Sequence, residues 1–156
     1  MDLLKHQRTI GVLTILSGII ALACMIATLM AVNFNDKVLS DPLLIFKQEN
    51  INTAIVRWSM IFDMFGYYLL LLPAIYFLHD WMKHRLAFSN MITFAGLAYV
   101  LIGSIGASIL AVIWPKIIEA FPAANVAEQQ LLKSNFSLIN DIVYNGMWNL
   151  LEMTFA

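Results

Sequence analysis

Residues 9–32 and 86–115 carry no charged side chain, and residues 59–78 carry one, Asp63. A bilayer core of about 30 Å is crossed by roughly 20 apolar residues in helical form. Runs of this length therefore point to a chain that crosses a membrane more than once. A fourth candidate stretch, residues 136–156, has the same length but holds Asp141, Asn145, Asn149 and Glu152. Charge at membrane depth is costly and is usually kept for a purpose. The second and fourth stretches accordingly hold the functional information.

The other broad classes fail on pattern. A soluble helical bundle shows an apolar stripe on each helix with polar residues opposite, whereas residues 9–32 are apolar all round. Membrane β-barrels alternate every second residue, and these runs do not. With 61% hydrophobic and 12% charged residues, the composition lies outside the soluble range. A net charge of −1 without a basic patch gives no reason to expect nucleic acid. Cys24 is the only cysteine, which excludes an intrachain disulfide and a thiolate metal cluster. Ala21-Leu22-Ala23-Cys24 loosely resembles a lipoprotein cleavage site, but the apolar run continues through Val32. That length suits an uncleaved anchor better than a signal peptide.

The expected fold is an all-α, polytopic membrane helical bundle forming a single domain. Its four transmembrane helices lie near 9–32, 58–78, 88–114 and 136–156. Lys5 and Arg8 at the start, and Lys83 and Arg85 in the short second link, place both termini in the cytoplasm by the positive-inside rule. The longer connections carry balanced charge, including Asp36 and Glu49 in the first. Trp58, Trp81 and Trp114 mark interfacial depth, and Trp148 fills a helix contact. Ser40-Asp41-Pro42 begins a short helix expected to lie on the membrane surface, and residues 123–133 lead helically into the fourth span. Pro73 is expected to kink the second span.

Small residues mark helix contacts. Ser17, Ala21, Cys24, Thr28 and Ala31 recur at helical spacing, as do Gly103, Ala107 and Ala111. Such series permit close backbone approach between helices in lipid. They suit a bundle, a homo-oligomer or docking of partner helices.

Asp141, Asn145, Asn149 and Glu152 are spaced 4, 4 and 3 apart, which on an α-helix gives one polar stripe. A charged residue at a helix centre costs about 2.5–3.5 kcal/mol. The stripe is therefore expected to face other helices. Asp63 and Asp141 each lie about 8–9 Å below the start of their span, which predicts that they meet, with Tyr67 and Asn145 one turn deeper. Two neighbouring carboxylates cannot both ionise cheaply, so they share a proton or bind a cation. The candidate ligand or ion site is thus Asp63, Tyr67, Asp141, Asn145, Asn149 and Glu152. His79, Asp80 and His84 make a charged link that lacks the ligand set of a metal site. No phosphate loop, nucleophile elbow or Cys–His pairing occurs in the sequence, so neither a cofactor nor a catalytic residue is assigned.

The start His6-Gln7-Arg8-Thr9-Ile10-Gly11, the Arg57…Asp63 opening of the second span, Pro73 before the basic link and the Gly-containing third span resemble one family. It is a family of small bacterial multi-pass membrane proteins of unknown function. The resemblance implies the bacterial inner membrane and carries no activity to transfer. Its members look longer, and an ending at Thr154-Phe155-Ala156 without a polar tail is expected of a truncated chain. Two functions follow from the residues. One is binding or movement of a small solute, proton or cation. The other is a non-catalytic accessory role in assembly.

Overall fold

Local stop-and-start signals divide the chain into its helices. A computed structural model describes residues 3–35, 37–38, 41–48 and 50–155. Asp36, Ser40, Glu49 and Ala156 lie outside the described residues. The first helix, α1, is Leu3–Ala31. It ends where Asn33 and Phe34 take left-handed backbone angles (φ 51° and 56°), and the Phe34 amide closes back onto the Leu29 carbonyl at 2.8 Å. Asparagine tolerates that conformation better than most residues.

A 3₁₀ turn, Pro42–Lys47, follows, and Asp41 caps it by accepting the Leu43 amide at 3.1 Å. The expected short helix is present, but it docks on the protein. Ile45 is buried, and Phe46 packs against Phe121 and Phe136 at ring distances of 4.4 and 5.0 Å. Leu43-Leu44-Ile45-Phe46 thus closes one end of the bundle, because protein surface is available there to bury it.

Asn52 starts α2, Thr53–Asp63, by accepting the Ala54 and Ile55 amides. The winding then widens to a π turn over Met64–Tyr68, tightens to 3₁₀ over Leu69–Leu71, and resumes as α3, Leu72–Met82. Pro73 sits in the first turn of α3 and explains the interruption, since it has no N–H to bond the carbonyl four residues back. The expected kink is therefore a local rewinding, and at Tyr68 the backbone leaves helical angles altogether (φ −127°, ψ −75°).

The next helix, α4, is Ser89–Ala120 and passes through Pro115 without ending, beyond the boundary expected at 114. After a 3₁₀ turn at Phe121–Ala123, Asn125 and Glu128 form a reciprocal capping box. They open α5, Val126–Asn140, which runs on as a π-wound segment over Asp141–Glu152 and a last turn, α6, Met153–Phe155. No strand occurs among the described residues. Three helices are long and apolar enough to cross a membrane: Gln7–Ala31, Thr53–Met82 and Ser89–Ala123.

The helices pack in sequence, α1 on α2, α2 on α4, and α4 on the π-wound segment. Small residues set the closest approaches, as their spacing suggests. Ser17 donates its hydroxyl to the Gly66 carbonyl, and a Cβ at Gly66 would collide with the Ala21 backbone. Gly103 leaves room for the Tyr68 ring and Gly106 for Trp148, so Trp148 does fill a helix contact. Trp58 and Trp81 are exposed, as interfacial anchors are. Trp114 differs from that expectation. Its ring stacks on Phe136 and Tyr144, and its indole N–H donates to Asn140 Oδ1 at 2.8 Å.

Candidate functional site

Span two and the fourth segment advance in the same direction. Met60 and Val143 share one buried cluster, and further along Tyr68 meets Glu152. This register decides which acids are neighbours. Asp63 follows Met60 while Asp141 precedes Val143, so Asp63 lies deeper than Asp141 and the two carboxylates are not brought together. The depth estimate from the sequence counted from Phe136, whereas the helix begins at Val126 and Phe136 is already buried under Phe46 and Trp114.

Asp63 has Glu152 within electrostatic reach instead. Its Oδ1 accepts a weak bond from the Cys24 thiol at 4.0 Å, and its Oδ2 is buried without a hydrogen-bond partner among the described residues. Glu152 is buried, with 8% of its surface exposed. Its Oε2 accepts the Tyr68 hydroxyl at 3.4 Å, and its Oε1 is likewise unpartnered. Tyr68 also packs on Tyr99, with ring centres 5.4 Å apart. Tyr67, Tyr99 and Tyr144 complete the ionisable groups within electrostatic range of Asp63. Buried carboxylate oxygens without partners are costly, and here two of them share one region between helices.

The π winding explains the membership of this cluster. Its bonds run from residue i to i+5, as from the Leu69 amide to the Met64 carbonyl. Through this turn both Tyr67 and Tyr68 lie within electrostatic range of Asp63. Counting at 3.6 residues per turn favours Tyr67 and misses Tyr68. Cys24, read from the sequence as a packing residue, is the α1 contribution. Tyr99 has no signal in the sequence beyond being a tyrosine in an apolar span.

The same winding divides the expected stripe of the fourth segment. Asn145 Nδ2 donates to Asp141 Oδ1 at 3.0 Å, and Asn149 Nδ2 to Asn145 Oδ1 at 3.4 Å. These three side chains form a row, and each is exposed rather than turned into the bundle. Glu152, three residues on, leaves the row and enters the interior. The inward face is Val143 with Tyr144, Met147 and Trp148 beside it.

Asp141, Asn145 and Asn149 border a cavity of about 520 Å³ at the end of the bundle closed by the 3₁₀ turn. Its other walls are Thr28 of α1, Val32 just beyond that helix, Asp41, Pro42, Leu43 and Ile45, and the rings of Trp114, Phe136 and Tyr144. Tyr144 belongs to both regions, since it lines the cavity and lies within electrostatic range of Asp63. At the opposite end, His79 Nδ1 is 2.8 Å from Thr93 Oγ1, and Asp80 pairs with Lys83 at 2.7 Å. Among the described residues, no group of three or more His, Cys, Asp or Glu is placed to hold a metal ion. Compared with protein-family models, with curated proteins and with solved structures, the chain matches none.

Proposed function

We propose that this chain is a multi-pass protein of the bacterial inner membrane that binds or moves a small solute, proton or cation through polar residues of its second and fourth segments. The observation that carries this reading is that Asp63 and Glu152 lie within electrostatic range of each other and each has a buried carboxylate oxygen without a hydrogen-bond partner among the described residues. A proton or a cation satisfies such a pair. Tyr67 and Tyr68 border it, and the row of Asp141, Asn145 and Asn149 leads to it from the cavity end. In this reading the fourth segment is a fourth crossing, tolerated because Glu152 turns inward and the amide row faces a cavity. Lys5, Arg8, Lys83 and Arg85 then face the cytoplasm with the amino terminus. The alternative, an accessory role in assembly, has less support. Ser17, Gly66, Gly103 and Gly106 are already used against the chain's own helices, so docking would rely on other faces.

The test is melting of the purified, detergent-solubilised chain across pH and with added alkali or alkaline-earth chlorides. The wild type is expected to melt at temperatures that depend on pH or cation. Asp63→Asn and Glu152→Gln are expected to flatten that dependence. Equal dependence in wild type and both variants would reject the reading.

A further inference from the structure

Trp148 supplies an observation that the acids alone do not. Its indole nitrogen is buried and has no hydrogen-bond partner among the described residues. That nitrogen lies against Gly106 of α4, while Gly103, about one helical turn earlier, leaves room for the Tyr68 ring. Tyr68 in turn donates to Glu152 Oε2, and Glu152 follows Trp148 on the same π-wound segment. The stranded N–H therefore belongs to the region of the stranded acids. Three buried atoms there lack partners: Asp63 Oδ2, Glu152 Oε1 and Trp148 Nε1. The Glu152 residue is more than nine-tenths buried.

These atoms make opposite demands. Carboxylate oxygens accept a hydrogen or a cation, whereas an indole N–H can only donate. A metal cation suits the two oxygens and repels the N–H. Calcium and magnesium also take about six oxygens or more. Here one oxygen of each acid is already bonded, Asp63 Oδ1 by the Cys24 thiol and Glu152 Oε2 by the Tyr68 hydroxyl. Water suits all three atoms, because it both donates and accepts, and a buried water ordinarily joins about three otherwise unpaired polar groups. Solute-sized spaces lie elsewhere: the cavities of about 520, 390 and 270 Å³ are lined by none of Asp63, Trp148 and Glu152.

Charge adds a further condition. The titratable groups within electrostatic range of Asp63 are Cys24 of α1, Tyr67 and Tyr68 of span two, Tyr99 of α4, and Tyr144 and Glu152 of the fourth segment. None of these is basic, so a proton is what offsets the repulsion between the two acids.

We infer that the ligand of Asp63 and Glu152 is a proton held with bound water, and that Trp148 donates its N–H to that water. The inference rests on the proposed function and narrows its ligand. The proton resides on Asp63 Oδ2 or on Glu152 Oε1. It passes between them when water takes a proton from the protonated carboxyl and gives another to the ionised one. One proton and one negative charge are present before and after the step.

Infrared spectroscopy of the purified full chain in detergent tests this, over the pH range in which ordinary carboxyls are ionised. The wild type is expected to show the carbonyl band of a protonated carboxyl, shifted on exchange into heavy water. Combining Asp63→Asn with Glu152→Gln is expected to abolish the band. Each substitution alone, checked for folding by gel filtration, is expected to shift or remove it. Sodium, potassium, magnesium and calcium chlorides, exchanged at constant pH and ionic strength, are expected to leave the melting temperature unchanged. Trp148→Phe keeps a ring against Gly106 and is expected to shift the band, whereas Trp58→Phe, at an exposed residue, leaves it in place. Absence of the band in the wild type, or an unaltered band in the folded acid variants, would overturn the inference. A melting temperature that follows one of the salts at constant pH would make a metal cation the ligand, which overturns the proton and leaves the broader reading standing. Dependence on neither pH nor salt rejects both. A band untouched by Trp148→Phe would overturn the role of Trp148.

Discussion

Helices α1 and α4 keep regular α winding over most of their length, whereas span two and the fourth segment rewind into π and 3₁₀ turns. The same division separates packing from polarity. The regular pair contributes Ser17, Ala21, Gly103, Gly106 and Ala107, small residues that let a neighbour approach. The irregular pair contributes Asp63, Tyr68, Asn145 and Glu152. π turns are frequent where a helix serves a function, and here the wider winding carries Tyr68, which bonds to Glu152, and separates Glu152 from Asn149. Gly103 and Gly106 of a regular helix leave notches that Tyr68 and Trp148 of the irregular segments fill, and Gly66 of span two lets the α1 backbone approach.

The severest way to break that relation is to crowd the place where the irregular span two meets the regular α1. Gly66→Val puts a side chain where a Cβ alone already meets the Ala21 backbone. Overpacking costs about 1–3 kcal/mol and more where backbone must move, and the nearest atoms here, in Ile20 and Ala21 of α1, are backbone rather than a flexible side chain. Loss of the folded species in detergent, seen by gel filtration and melting, is expected. A variant that melts like wild type would mean that α1 and span two do not approach at this point.

A smaller effect is expected on the irregular side. Tyr68→Phe keeps the ring in the Gly103 notch and removes the only hydrogen bond to Glu152 among the described residues. Leaving a buried acceptor unsatisfied costs on the order of 1–3 kcal/mol. The melting temperature should fall, and Tyr68→Phe combined with Glu152→Leu should recover part of the loss, because the stranded carboxylate is gone. An additive double variant would show that the two groups do not interact.

The smallest effect sharpens the comparison within one segment. If the Asp141–Asn145–Asn149 row faced the bundle, as its α-helical spacing suggests, Asn145→Leu would be clearly destabilising. The row is exposed at a cavity, so Asn145→Leu should change stability by no more than about 0.5 kcal/mol. A large loss on melting would place Asn145 back in the interior.

Run length and charge placement alone determined the helical class, the long apolar segments and the acids set within the second and fourth stretches, because a bilayer-length run and an acid inside an apolar stretch are one-dimensional signals. Small-residue spacing likewise identified the faces of close approach. Proline and its neighbours marked the turn at Asp41-Pro42 and the break at Pro73, while the caps at Asn52 and Asn125 emerged only in the folded chain. The partners of the acids were decided only by the tertiary structure. Pairing depends on register between two helices and on residues per turn. Register was set by where α5 begins and by Phe46 and Trp114 covering Phe136, contacts distant in sequence. Winding was set by Pro73 and by the neighbours that accept a π turn. Depth counted from the span starts therefore set Asp63 beside Asp141, whereas the folded chain brings Asp63 within electrostatic range of Glu152, Tyr67 and Tyr68, bonds it to the Cys24 thiol, and bonds Tyr68 to Glu152.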